Sequence, residues 1–247
     1  MASIDLHAVS VEFPVYNINA RSFKKNFLRL ATGGAVVEDA NQHIVVSALD
    51  NITLRFNHGD RIGLIGHNGS GKSTFLRLLA TIYEPTRGRM TVEGHISPML
   101  DLMPGIEMEL TGYDNIMVRG TLLGLTRKEI LKHTQQIAEL TGLGDYLSMP
   151  IRTYSSGMMV RLAFAISSSI NPDILLIDEV FGAGDADFME KARQRMVDLL
   201  DQSSIVVLAT HSDALITEFC NKVLLLEGGR IKYFGDPKSA LEIYHHG

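Results

Sequence analysis

The run Gly66-His67-Asn68-Gly69-Ser70-Gly71-Lys72-Ser73-Thr74 gathers residue types that grip phosphate, at a spacing that lets them act together. An apolar stretch, Arg61 to Ile65, leads into the run, and a helical pattern follows it. Gly69 and Gly71 let the backbone curl so that successive N–H groups converge on phosphate oxygens at a helix N-terminus. Lys72 adds a point charge for the β- and γ-phosphates, Ser73 offers a hydroxyl to Mg²⁺, and Thr74 reaches the α-phosphate side. Strand, loop and helix together predict a binding site for a nucleoside triphosphate.

Two more strands are expected to end in reactive groups. The apolar run Ile174 to Ile177 stops at Asp178-Glu179, and the run Ile205 to Ala209 stops at Thr210-His211. Both read as buried parallel strands, and in such sheets ligand chemistry gathers at the carboxyl ends. Asp178 is the natural partner of Mg²⁺, directly or through water, alongside Ser73. Glu179 then faces the γ-phosphate, where a carboxylate accepts a proton from the attacking water or orients it.

The elements that must hold these groups follow from periodicity. Residues 4 to 13 alternate apolar and polar and predict a strand ending at Pro14. Between 17 and 47 the pattern breaks, leaving a short basic helix from Arg21 to Leu30 closed by Gly33-Gly34. Strands are expected at Ile52 to Phe56, Arg61 to Ile65, Arg89 to Val92, Ile96 to Leu100, Val223 to Leu226 and Ile231 to Phe234. Helices are expected at Phe75 to Ile82, through Thr111 to Leu147, at Ser156 to Ile170, and after Pro237.

Composition narrows the setting. The length of 247 residues fits one large α/β unit with a subdomain, and the net charge of −5 argues against a nucleic-acid partner. A single cysteine, Cys220, excludes an internal disulfide and suits a reducing compartment. The amino-terminal residues lack the pattern of a signal peptide, and the apolar runs are strand-length, far short of a membrane span. Work at a membrane would require another protein's helices.

Tyr154-Ser155-Ser156-Gly157-Met158, opening a long helix, completes a set that resembles the nucleotide-binding subunits of ABC transporters over nearly the whole chain. The family's LSGGQ signature keeps Ser155 and Gly157 here but carries Tyr154 for Leu, Ser156 for Gly and Met158 for Gln. A serine hydroxyl and the N–H groups of a helix start still make an anion site. The resemblance implies an α/β fold: a P-loop ATPase core with an N-terminal antiparallel β subdomain and an inserted helical subdomain. It assigns 1–94 and 172–247 to core and β subdomain, 17–47 to an insertion, and 95–171 to the helical subdomain. It implies ATP and Mg²⁺ as cofactors, and a head-to-tail homodimer in which Ser155, Ser156 and Gly157 cap the γ-phosphate of ATP held by the other copy. Asp185 matches an aspartate that joins the two sites, with Gly184 for the usual leucine, and His211 matches a histidine that contacts the γ-phosphate. Lys72, Glu179 and His211 form the expected catalytic set.

Departures from the pattern locate the chain more narrowly. The loop that normally carries a Mg²⁺-sensing glutamine, residues 95 to 115, contains none, and Asp101 is the nearest polar candidate. Tyr16 or Phe13 is expected to stack on adenine, with Tyr16 preferred because Phe13 alternates in phase with Val9 and Val11. The signature, the run Asp178 to Phe188, and the glutamine-free loop with Glu109-Leu110-Thr111-Gly112 resemble ATPases that export bacterial surface polysaccharides such as O-antigen and teichoic acid. That subfamily implies permease subunits, a lipid-linked polysaccharide cargo, and a peripheral place on the cytoplasmic face of the bacterial inner membrane. Some relatives add a carbohydrate-binding domain, and this chain is expected to lack one. Five of the eleven methionines, at 90, 99, 103, 108 and 117, fall where the family docks its membrane partner.

Overall fold

The computed structural model describes residues 1–14, 35–38, 44–178 and 186–246. In chain order its elements begin with β1 (Ser3–Pro14), β2 (Ala35–Glu38), β3 (Ile44–Asn57), β4 (Arg61–Ile65), α1 (Lys72–Leu79), β5 (Arg87–Glu93) and β6 (Ile96–Met99). Next come α2 (Gly112–Leu122), α3 (Arg127–Thr141), α4 (Ser156–Ser167), β7 (Ile174–Asp178) and α5 (Ala186–Gln202). The chain closes with β8 (Ile205–Ala209), α6 (Asp213–Phe219), β9 (Lys222–Glu227), β10 (Arg230–Gly235) and α7 (Pro237–His246). Two units divide it: residues 1–96, 176–179 and 204–247 form one, and residues 97–175 and 180–203 the other.

The first unit holds two sheets. One is antiparallel, in the order β2-β3-β1-β5. The other runs β10-β9-β4-β8-β7, with β4 parallel to both β8 and β9 and β10 antiparallel at the edge. The central strands are apolar on both faces because both faces are covered: Ile62, Leu64, Ile205 and Val207 are all fully buried. Consequently the carboxyl ends of β4, β7 and β8 are the places where polar side chains emerge.

The antiparallel sheet departs from the sequence expectation in two ways. β3 starts at Ile44 rather than at Ile52 and pairs with β2, Val36 opposite Val46. β1 is not a strict alternation either. Its pairing with β3 shifts register between Leu6 and Val9, between Val9 and Val11 and between Val11 and Glu12, and Ala8 sits at φ 50. Such bulges reset which residues face the core. Phe13, phased with Val9 and Val11 by counting, is half-buried and meets Tyr83 edge-to-face at 5.3 Å. The expected helix from Arg21 to Leu30 lies outside the described residues.

The second unit is mainly helical. Its core gathers Ile116, Ile130, Ile137, Leu147, Ile151 and Leu162 from α2, α3, α4 and the turns between them. The helical text from Thr111 to Leu147 divides into two helices because each has its own start signal. Thr111 and Asp114 form a capping box at α2, and Thr126 and Glu129 form another at α3. α5 and α6 are helices that the sequence reading above does not include. α5 buries Phe188, Ala192, Met196, Leu199 and Leu200 on one face.

Candidate nucleotide-binding site

The site assembles at the carboxyl edge of the parallel sheet in the first unit. β4 runs into Gly66, and the chain then wraps back through Ser70 and Gly71 before α1 begins. Gly71 caps α1 in the left-handed region at φ 106, and a Cβ there would stand 2.8 Å from the Ala48 carbonyl oxygen. Only glycine fits that backbone and that gap. No acidic residue occupies the first turn of α1, so the positive end of the helix dipole is left for an incoming anion.

Lys72 folds back over the loop, its Nζ donating to the Gly66 carbonyl at 2.6 Å and the His67 carbonyl at 3.3 Å. Both of these acceptors are neutral carbonyl oxygens, and they fold the lysine back over the loop. Ser73 comes next on α1, and its Oγ donates to Asp178 Oδ2 at the end of β7 over 3.4 Å. A cavity of about 320 Å³ opens here, lined by Asn68, Gly69, Gly71, Lys72, Ser73, Thr74, Asp178 and His211, with Val46 and Ala48 from β3. That volume lies in the range of small-ligand pockets. His67, Asn68, Gly69 and Ser73 are exposed, whereas Ser70 is buried and its amide donates to the His67 carbonyl at 3.0 Å, closing the turn.

The donor set fits a small hard cation. A hydroxyl and a carboxylate, 3.4 Å apart beside a phosphate loop, are the oxygen ligands that Mg²⁺ takes when phosphate oxygens and water complete its octahedron. His211 follows β8 directly, where Thr210 Oγ1 accepts from the Ser212 N–H at 3.1 Å and turns the chain. Ser212 then caps α6 by accepting from the Leu215 N–H. The structure therefore brings Lys72, Ser73, Asp178 and His211 together in one cavity. Tyr16, Glu179 and Asp185 lie outside the described residues.

Val46 and Ala48 are cavity-lining residues that the sequence reading does not name. Their placement follows from the early start of β3, and the signal for it is the apolar run Ile44-Val45-Val46.

The remaining candidates belong to the second unit. Ser155 caps α4, its hydroxyl accepting from the Met158 N–H at 3.2 Å, and Ser156 is exposed at the first turn. Nothing crowds Gly157, where an added Cβ would meet only Ser155 Oγ, 3.9 Å away. Ser155 and Ser156 at this helix start are thus both exposed. Tyr154, which replaces the family leucine, is buried, and its hydroxyl donates to the Tyr146 carbonyl at 2.6 Å. Gly112 makes room for that hydroxyl, since a Cβ there would lie 2.5 Å from it. Asp101 accepts from the Met103 N–H at 3.0 Å. Near it the buried Arg119 donates to the Leu102 carbonyl and, at 2.9 Å, to Ser167 Oγ. Burial pushes that guanidinium below its ordinary range, and the charge of Asp101 partly restores it.

The profile of the ABC transporter family matches residues 49–182. This chain belongs to the ABC transporter family. Among relatives of that family, the O-antigen export system ATP-binding protein of Yersinia enterocolitica is 44% identical over 94% of this chain and 97% of its own length. A namesake from Myxococcus xanthus is 38% identical over 90% of this chain, which spans 50% of that protein. The teichoic acids export ATP-binding protein of Shouchella clausii is 35% identical over 97% of this chain and 64% of its own length. In three dimensions the chain resembles the ATP binding subunit of an ABC transporter, with a TM-score of 0.69 at 20% identity over 94% of this chain and 89% of that one. It likewise resembles the ATP-binding cassette MJ0796 in a dimeric post-hydrolysis state bound to ADP and Pi, with a TM-score of 0.67 at 19% identity over 95% and 98% of the two chains. The fold is that of the ABC ATPase cassette. As an ATP-binding subunit of this family, the chain is an ATPase.

Proposed function

We propose that this ABC ATPase powers the export of a lipid-linked surface polysaccharide of the O-antigen type across the cytoplasmic membrane. The observation that supports the enzymatic part is the meeting of Lys72, Ser73, Asp178 and His211 in one cavity. Cargo rests on the 44% identity with an O-antigen export protein over nearly the full length of both chains. A second cargo, teichoic acid, is favoured by the 35% identical relative of that name. Among the described residues no helix is long and apolar enough to cross a membrane. In this reading the chain therefore binds peripherally, through separate permease subunits.

Lys72 and the loop amides hold the β- and γ-phosphates, and His211 donates to the γ-phosphate oxygens. Ser73 and Asp178 would hold Mg²⁺, which would supply neutralisation of phosphoryl charge there. Glu179 orients the attacking water and takes its proton, and Tyr16 stacks on the adenine. General-base help of this kind contributes roughly 10²- to 10⁴-fold, or about 3 to 5 kcal/mol of barrier. Ser155, Ser156 and Gly157 of a second copy cap the γ-phosphate from the opposite side, and Asp185 links the two sites. Two copies closing on two ATP molecules drive the permease, and hydrolysis reopens them. Asp101 is the residue that would take the part of the absent glutamine.

Reconstitution with the permease tests the cargo. Lipid-linked O-antigen polysaccharide is expected to raise ATP turnover of the complex, and a teichoic acid carrier is not. Turnover that responds to neither, in a complex that hydrolyses ATP, would remove polysaccharide export from consideration.

A further inference from the structure

The last helix of the first unit reaches back to the phosphate loop. α7 lies over the sheet, where Ala240, Leu241, Ile243 and Tyr244 pack with Ile65, Ile216 and Val223. At its end, the Tyr244 ring meets the His67 ring, centroids 5.1 Å apart and planes 34° from parallel. His67 is the residue whose carbonyl accepts from both Lys72 Nζ and the Ser70 amide, so its position, with that of Gly66, helps set that of the lysine. The adjacent residue His245 meets a different loop. Its Nε2 lies 2.8 Å from Asp213 Oδ2, in the first turn of α6 and two residues past His211.

We propose that the end of α7 is a clamp that positions both halves of the γ-phosphate site. Tyr244 fixes the phosphate loop through His67, and His245 fixes the His211 loop through Asp213. Neither residue lines the cavity, and each acts through the residue it touches. An aromatic contact tilted by 34° at 5.1 Å restrains the ring of His67 in both direction and distance. Two consecutive residues of one helix end hold two separate loops, so a displacement of α7 moves Lys72 and His211 together. The clamp rests on the reading of Lys72 and His211 as the groups that contact the γ-phosphate.

Steady-state ATP hydrolysis and ATP affinity of the purified chain test it, with thermal midpoints recorded in parallel. Tyr244→Ala is expected to raise KM and the ATP Kd about five- to tenfold, the size of one lost aromatic pair, with a smaller change in kcat. Tyr244→Phe restores the wild-type values, because the ring is kept. His67→Ala reproduces the Tyr244→Ala defect from the other side, and the double variant is no worse than either single one. His245→Ala lowers kcat severalfold and leaves KM near wild type. The clamp is overturned if Tyr244→Ala and His67→Ala both stay within twofold of wild type in KM and Kd, or if their effects add. Should Tyr244→Ala not fold, His67→Ala alone carries the test of affinity. Lys72→Ala and His211→Ala separate the two levels. Loss of activity in these alongside normal kinetics in the α7 variants removes the clamp only, whereas normal hydrolysis in Lys72→Ala and His211→Ala removes the site reading beneath it.

Discussion

Replacing Tyr154 measures what this chain gains from departing from the family leucine. Tyr154→Phe deletes one buried hydroxyl and keeps the ring. The lost bond is the 2.6 Å donation to the Tyr146 carbonyl, which anchors the turn at Gly144–Ser148 next to the start of α4. A single hydrogen bond of this type is worth about 1 kcal/mol net. Tyr154→Leu also removes the edge-to-face pair with Tyr146, whose centroids are 6.4 Å apart at 87°. That pair adds about 0.5–1.5 kcal/mol, for a total near 2 kcal/mol. Urea unfolding followed by far-UV circular dichroism suits a chain that has no tryptophan. With a slope of about 2 kcal/mol/M, the midpoint is expected to fall by about 0.5 M for phenylalanine and about 1 M for leucine. The sign with pH is also determined. Burial, and then the charge of Tyr113, pushes the phenol above its ordinary value of 10.0. Its stabilisation is therefore full at neutral pH and is lost as pH rises through the raised value. Tyr154→Phe should accordingly flatten the alkaline limb of the stability profile. A phenylalanine variant with the wild-type midpoint and the wild-type alkaline limb would refute the assignment of that hydrogen bond.

Other perturbations have equally definite outcomes. Glu179→Gln should keep ATP binding, nearly abolish hydrolysis and hold two copies closed, as read by turnover and size-exclusion chromatography with ATP; wild-type turnover contradicts the base assignment. Gly71→Ala should abolish nucleotide binding, since its Cβ would press within 2.8 Å of the Ala48 carbonyl in a left-handed backbone at φ 106, and unchanged ATP affinity by titration counts against the loop geometry. The half-buried Cys220 thiol is pushed up to about 12, chiefly by desolvation, so the folded chain should react with iodoacetamide at pH 8 much more slowly than a free thiol, and mass spectrometry showing labelling at the free-thiol rate would contradict that shift.

The groups that do chemistry were the most legible part of the sequence. Glycines, a lysine and hydroxyls at fixed offsets have few other uses, and the acids and His211 stand at the ends of apolar runs where a buried strand must surface. Val46 and Ala48 carry no such mark. An apolar side chain beside a phosphate site looks like any strand residue, and the start of β3 at Ile44 follows a stretch without clear periodicity. The reading of Phe13 by phase met a physical obstacle, because the register shifts of β1 reset the alternation on which counting depends. The division of the long helical region is written in two capping boxes, which a search for apolar spacing alone passes over. α5 has a clear helical spacing at 188, 192, 196, 199 and 200, and the strand-centred reading of that region leaves it unused. The contact between Tyr244 and His67 joins residues far apart in the chain, and no local pattern announces it.

The central claim is that each ATP is hydrolysed between the phosphate loop of one copy and the Ser155 of another. Mixing two dead variants tests it most directly. Glu179→Gln lacks the base but keeps its signature, and Ser155→Arg blocks the signature but keeps its base. Each alone should be inactive. Mixed in equal amounts before ATP is added, half of the dimers are mixed pairs with one intact composite site of two, so activity should return to roughly a quarter of wild type. A mixture no more active than its separate components would contradict the composite site.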